Sequence, residues 1–423
     1  MTARPFLKGM AGYLVPARRR SRRMADRQVE VYMPSAPARP AAGLGVVLIM
    51  ATACASIPKQ TYTADEARRE VQARVSAEMQ DKIVIPFEID DEIERLAEDI
   101  TRNAVTEQAK TEAIVRAITD LRQFSISYDF LSNKTAREVF TQGKGNCLAY
   151  ANLFVGMARH VGVDAVYVDV VTVETTTREA EVIVNTGHVT AGVVQGSTGV
   201  IIVDFTRTPE TKYVGFKVID DLEAIANYYN NQGFLYGYFS ESEGRELGFD
   251  PMEAEMEMIK VALQVKPSFG RARNNLGVAL RRRGSVQEAI EQYEKAIEVD
   301  PGFAEPHANL AAAYFADHRP DDALKELRIA VKLSGSNGYF HYQLGVVEYG
   351  LGRYEEAIKE FRSALAKEPG MAVSRYFLGE SYLKLGNTER ALEEYLAALE
   401  LDPNNAPARA KVDLLTGQAL SRN

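Results

Sequence analysis

The spacing of apolar residues divides this chain of 423 residues into three regimes. Up to about residue 162 the intervals are helical. Residues 90–102 and 106–122 read as amphipathic helices, the second with Ala113, Ile114, Ala117, Ile118 and Leu121 on one face. Another helix starts at Cys147 and places Leu148, Ala151, Leu153, Phe154, Met157, Ala158 and Val161 at helical spacing. The pattern then changes to β-branched runs over 165–173, 181–194 and 199–205, separated by Gly or Thr clusters, which read as three strands. From 252 onward the spacing is helical again and repeats. Shorter pieces lie upstream: 64–82 reads as one charged, solvated helix, 124–130 as extended chain and 136–140 as a turn of helix.

The chemistry-bearing residues fall at the ends of these elements. Cys147 opens its helix directly after Gly143 and Gly145. A helix N-terminus presents unpaired N–H groups and the positive end of the dipole, which favours a thiolate. On that argument alone a nucleophile and a buried structural cysteine are equally good readings. His188 lies in the second strand-like run and Asp204 near the end of the third. Adjacent antiparallel strands can bring two such residues side by side. Cys, His and Asp then form a thiol triad, in which the His takes the thiol proton and the Asp orients the imidazole.

The order Cys147, His188, Asp204, together with the Gly-x-Cys-x-x-Tyr-Ala start of the helix (Gly145 to Ala151), resembles the transglutaminase-like superfamily of papain-related cysteine enzymes. The resemblance covers about residues 87–220. It implies an α+β fold with a thiol acyl-transfer site: Cys147 as nucleophile, His188 as general base and Asp204 as orienting carboxylate. It also implies oxyanion donors, the Cys147 N–H and a side chain just upstream, for which Gln142 is the candidate. Tyr150 stands near where the family keeps an aromatic residue. Many members of the superfamily have lost their triads, whereas all three residues are present here. His160, almost four turns along the helix, reads as a helix-end residue. No His/Cys/carboxylate cluster has metal-ligand spacing and no phosphate-binding Gly loop is present, so neither a metal nor a cofactor is expected.

The C-terminal third repeats with a period of 34. Small residues recur at Ala262, Ala296, Ala330, Ala364 and Ala398, and again at Ala289, Ala323, Ala357 and Ala391. Leu276, Leu310, Leu344 and Leu378 precede Gly277, Ala311, Gly345 and Gly379, while Tyr293, Leu327, Phe361 and Tyr395 share a bulky position. This resembles the tetratricopeptide repeat and implies an all-α solenoid of four repeats over 270–405, closed by a capping helix over 406–423. The segment Tyr228 to Gly233 echoes Arg273 to Gly277, so 221–269 reads as a divergent first repeat at the junction. Such arrays bind along a concave face. The family frame puts Asn274, Arg281, Tyr339, Tyr342, Tyr349 and Tyr376 on or near it, where an aromatic, mildly polar groove suits a protein or peptide partner. Packing within the array is the competing role for the tyrosines.

Charge and the N-terminus add an address. The formal charge is −8 overall, but residues 1–53 hold nine Arg/Lys and two Asp/Glu (+7), leaving −8 − 7 = −15 for the remainder. So acidic a body is a poor match for nucleic acid. An arginine-rich stretch over 17–39 precedes an apolar run over 41–53, too short to span a bilayer, followed by Cys54. This resembles a bacterial lipobox, although Ala51 stands where Leu is commonest, and Met24 and Met33 are alternative starts. The resemblance implies cleavage of the 1–53 signal peptide and lipid modification of Cys54, with 54–86 as tether and polar helix. Nothing after Cys54 signals inner-membrane retention, which points to a periplasmic protein anchored to the outer membrane. Ordinary secretion and an uncleaved anchor are the alternatives.

The expectation is therefore an exported thiol acyl-transfer enzyme. Water as acceptor makes it a peptidase or amidase, the outcome the resemblance favours, and an amine makes it a transglutaminase. The rival from another class is a cell-envelope scaffold that uses both domains only for protein interaction.

Overall fold

The computed structural model describes residues 61–119, 127–129, 131–172, 188–196, 199–205, 213–239 and 241–417. The expected signal peptide and Cys54 lie outside the described residues. The chain divides into two compact units, with the boundary between Ala272 and Arg273.

The first unit is α+β. It contains helices α1 (Ala64–Gln72), α2 (Ala77–Gln80), α3 (Asp91–Thr101), α4 (Glu107–Thr119), α5 (Ala136–Gln142), α6 (Cys147–His160), α7 (Asp221–Tyr236), α8 (Glu241–Leu247) and α9 (Pro251–Val265). Strands β1 (Ser127–Tyr128) and β2 (Lys144–Gly145) form a short parallel pair. Strands β3 (Ala165–Thr172), β4 (His188–Gln195), β5 (Gly199–Val203) and β6 (Tyr213–Ile219) form an antiparallel sheet in the order β5-β4-β3-β6. The sequence pattern anticipated β3 to β5 but not β6.

Helix α6 organises this unit. Every residue from Leu148 to Ala158 is buried, as expected for a helix that is apolar on all sides. It packs against α3, α4, α5, β3 and β4. Tyr167 on β3 reaches it and donates to Asn152 Oδ1 at 2.8 Å. At its C-terminal end Arg159 binds both carboxylate oxygens of Asp221 at 2.8 Å, donates to the Ala165 carbonyl at 2.9 Å and lies over the Phe87 ring. The Tyr62 N–H reaches the same Asp221 carboxylate at 2.8 Å, which ties the start of the described chain to this cluster.

Residues 64–82 depart from the single solvated helix expected. They form α1 and α2 with a break between, and Ala67, Val71, Val75 and Met79 are buried. Apolar residues spaced by about four build one buried face that the many charges obscure.

Helices α7 and α9 pack on each other closely: a Cβ added at Gly233 would fall 2.7 Å from the Glu255 carbonyl oxygen. Helix α8 lies between them along the chain.

The second unit is wholly helical in its described residues. It begins within α10 (Gly270–Arg283) and continues as α11 (Val286–Val299), α12 (Ala304–Ala316), α13 (Pro320–Leu333), α14 (Gly338–Gly350), α15 (Tyr354–Lys367), α16 (Ala372–Lys384), α17 (Thr388–Leu401) and α18 (Ala406–Thr416). Ala296, Ala330, Ala364 and Ala398 are fully buried, as are Ala289, Ala323, Ala357 and Ala391. Within three repeats a glycine meets an aromatic ring. A Cβ at Gly277, Gly345 or Gly379 would lie 2.5, 2.7 or 2.8 Å from Tyr293, Phe361 or Tyr395. The second repeat has Ala311 instead, and its opposing residue is the smaller Leu327.

Candidate functional site

The residues before Cys147 set how its helix begins. Gly143 closes α5 with φ 64°, a left-handed conformation that glycine adopts without penalty. Gly145 is required for space, since a Cβ there would meet Ala149 Cβ at 3.0 Å and Val139 Cγ2 at 3.1 Å. The β1–β2 pairing, the Asp129 N–H on the Gly145 carbonyl (3.1 Å) and the Asn146 N–H on the Ser132 carbonyl (2.9 Å) strap this segment in place. Asn146 is the N-cap: its side-chain oxygen accepts from the Ala149 N–H at 2.9 Å. The Cys147 and Leu148 N–H groups then lie in the first turn, outside the helix's own hydrogen-bond ladder. Sequence reasoning missed Asn146 and the Asp129–Ser132 strap. A side-chain cap before an apolar helix was a readable signal, whereas the strap was not.

Cys147 is a free, half-buried thiol at the first position of α6. His188 opens β4 and Asp204 follows β5 directly. Because β4 and β5 are antiparallel neighbours, their ends meet, and His188 Nε2 lies 3.0 Å from Asp204 Oδ1. The His188 side chain also hydrogen-bonds Cys147. With Nε2 on Asp204, Nδ1 is the ring nitrogen left for the thiol. His188 and Asp204 side chains are 16% and 10% exposed, so the group is sheltered yet reachable from solvent. Burial pushes the His188 pKa down, but charge on the Cys147 sulfur and the Asp204 hydrogen bond outweigh it and raise the pKa to about 10. All three residues selected from the sequence are therefore brought together.

Phe205, next to Asp204, packs against Tyr150 at 5.8 Å and Phe154 at 6.1 Å. Tyr150 itself is buried, so its role is packing behind the site. Gln142 is exposed on the last turn of α5, and its amide oxygen accepts from Lys134 Nζ at 2.6 Å. His160 ends α6 and faces Glu98 at 3.1 Å, away from the thiol chemistry. Among the described residues no group of three or more His, Cys, Asp or Glu gathers as a metal site.

In the repeat array two of the residues expected on a binding face are core instead. Tyr342 and Tyr349 are each 2% exposed and belong to one cluster with Phe361, Phe377 and Tyr395. Rings at these inner-helix positions fill the space between successive helices before they reach a groove. Tyr339 and Tyr376 are partly buried against the same cluster. Asn274 is buried and accepts from Asn309 Nδ2 at 2.8 Å, while Arg281 is half-buried beside the Tyr293 hydroxyl.

Comparison with known proteins agrees with this anatomy. The family model described as the transglutaminase-like superfamily matches residues 94–205. Models described as tetratricopeptide repeat match 309–372 and 342–406, and a further repeat model matches 277–317. No curated protein matches the chain. Solved structures similar to the chain include YrrB, described as a TPR protein with an unusual peptide-binding site (24% identity, TM-score 0.34, 44% of this chain and 90% of that one). Others are a thermophilic TPR protein of Thermus thermophilus (23%, 0.37, 45% and 98%) and MamA (24%, 0.34, 40% and 98%). These likenesses concern the repeat fold alone. The chain thus carries a transglutaminase-like domain over 94–205, followed by tetratricopeptide repeats over 277–406.

Proposed function

We propose that Cys147, His188 and Asp204 form a thiol acyl-transfer site, and that the repeats bind the protein or peptide on which it acts or with which it assembles. The observation that carries this reading is His188 standing between a free thiol and a carboxylate, with its proton held up to about pH 10. At neutral pH an imidazolium then faces the sulfur. The Cys147 sulfur, its proton held on His188, attacks an amide carbonyl carbon, and the Cys147 N–H at the helix start would receive the developing oxyanion. The C–N bond breaks as imidazolium gives its proton to the leaving amine, leaving a thioester. Neutral His188 next takes a proton from water or from an acceptor amine, whose attack releases acid or new amide and restores the free sulfur beside the imidazolium. Asp204 steadies the imidazolium in both halves. Gln142 would assist only by turning its amide nitrogen toward the oxyanion.

The basic, then apolar N-terminus ending at Cys54 supports export and lipid anchoring in the cell envelope as part of the same proposal.

The test is alkylation of Cys147 against pH in a Cys54→Ser chain, with and without His188→Ala. Reaction well below the free-thiol value of about 8.5, lost in the His188 variant, supports the reading. A profile indifferent to His188 refutes it and leaves interaction through the two domains as the function.

A further inference from the structure

The β4–β5 ladder pairs Gln195 with Gly199 at one end and Ala191 with Val203 at the other. One further step in that register would set Asp204 opposite Thr190. His188 lies two residues along from Thr190 on the same strand face. His188 and Asp204 are therefore diagonal neighbours just past the paired residues, a relationship that strand pairing does not itself enforce. At this point the fully buried Thr190 donates its hydroxyl to the Val203 carbonyl at 2.6 Å. That carbonyl and the Asp204 N–H belong to one planar peptide group. Holding the carbonyl fixes the plane and with it the position of the Asp204 Cα, leaving rotation about the Asp204 N–Cα bond as the backbone freedom that still aims the side chain. On the other side Phe205 is wedged against Tyr150 and Phe154. A buried strand position of this kind suits valine equally well, so burial alone does not call for a hydroxyl.

We propose that Thr190 is a positioning residue for the thiol site: through the Val203–Asp204 peptide it holds the Asp204 carboxylate within hydrogen-bond distance of His188. The inference rests on the thiol-site reading above. Thr190 acts through Asp204 and not on substrate. Its contribution is orientation of the carboxylate, which is felt as protonation of His188.

The test uses the full chain with Cys54→Ser and compares Thr190→Val, which keeps the shape and removes the donor, with Thr190→Ser, which keeps the donor and removes a methyl group. The His188 titration is read by NMR and Cys147 alkylation is followed from pH 5 to 10. Thr190→Val is expected to lower the His188 midpoint by about one unit, a tenfold change in its protonation equilibrium, and to shift the alkylation profile with it. Thr190→Ser is expected to match the parent. A titration midpoint is read on folded molecules, so lost stability does not imitate the effect. If Thr190→Val titrates as the parent while His188→Ala abolishes the low-pH reactivity, the positioning role is overturned and the thiol site stands. If His188→Ala changes nothing, both fall. Should Thr190→Val fail to fold, Thr190→Ser decides: a shifted midpoint with the hydroxyl retained overturns the inference, and the parent's midpoint supports it.

Discussion

His188 Nε2 and Asp204 Oδ1 lie 3.0 Å apart across the ends of two antiparallel strands, with the Cys147 side chain hydrogen-bonded to the same imidazole. The pKa of about 10 that results has a consequence for stability. The folded value is above the ordinary 6.5, so the charged form stabilises the fold fully below about pH 6.5 and this contribution is lost as pH rises through 10. Urea unfolding of the parent and His188→Gln across pH 6 to 10.5 should show a difference that shrinks with rising pH. A constant difference would mean that His188 is not held protonated.

Arg159 and Asp221 form the other polar junction of this unit. Asp221 is 2% exposed and receives two guanidinium bonds at 2.8 Å plus the Tyr62 N–H. Removing the cation leaves a buried carboxylate without its main partner, which costs about 3–5 kcal/mol. Arg159→Met should lower the urea midpoint accordingly, and the double change Arg159→Met/Asp221→Leu should recover part of the loss. A single change worth under about 1 kcal/mol, the range of exposed pairs, would contradict this placement.

The helix contacts of the array predict a compensating pair. Gly345→Ala drives a Cβ to 2.7 Å from the Phe361 ring, an overpacking worth about 1–3 kcal/mol. Adding Phe361→Leu recreates the Ala311/Leu327 combination of the second repeat and should restore much of it. Thermal unfolding of the four members of the cycle measures the coupling. Purely additive effects would show that the two residues do not oppose each other.

At the end of the array Glu380 accepts from the Tyr395 hydroxyl and from Lys411 Nζ, both at 2.5 Å, and from Tyr349 at 3.4 Å. Burial first, then the carboxylate, raises the Tyr349 and Tyr395 pKa values. Lys411→Met removes the only full charge among these three donors. It should loosen α18, seen as faster amide exchange over 406–416 with the first three repeats unaffected. Unchanged exchange would rule out Lys411 as the tie.

Both architectures were legible in the sequence, and so was the choice of Cys147, His188 and Asp204, which the fold brings together. Each rests on a local signal: a 34-residue period, helical spacing after Cys147, β-branched runs around His188 and Asp204. Local signals specify elements, and elements this regular admit few arrangements. How neighbours in space share volume and protons, by contrast, emerges only from the packed chain. The charged 64–82 segment hides a buried face, β6 completes the sheet beside β3, and Tyr342 and Tyr349 fill the core where a groove was expected. The meeting of His188 with Asp204 depends on strand register, and the Thr190 hydroxyl on Val203 is a contact between residues thirteen apart that no spacing rule announces. A side chain's hydrogen-bond partner is set by which backbones approach it, and that approach exists only once the chain has packed.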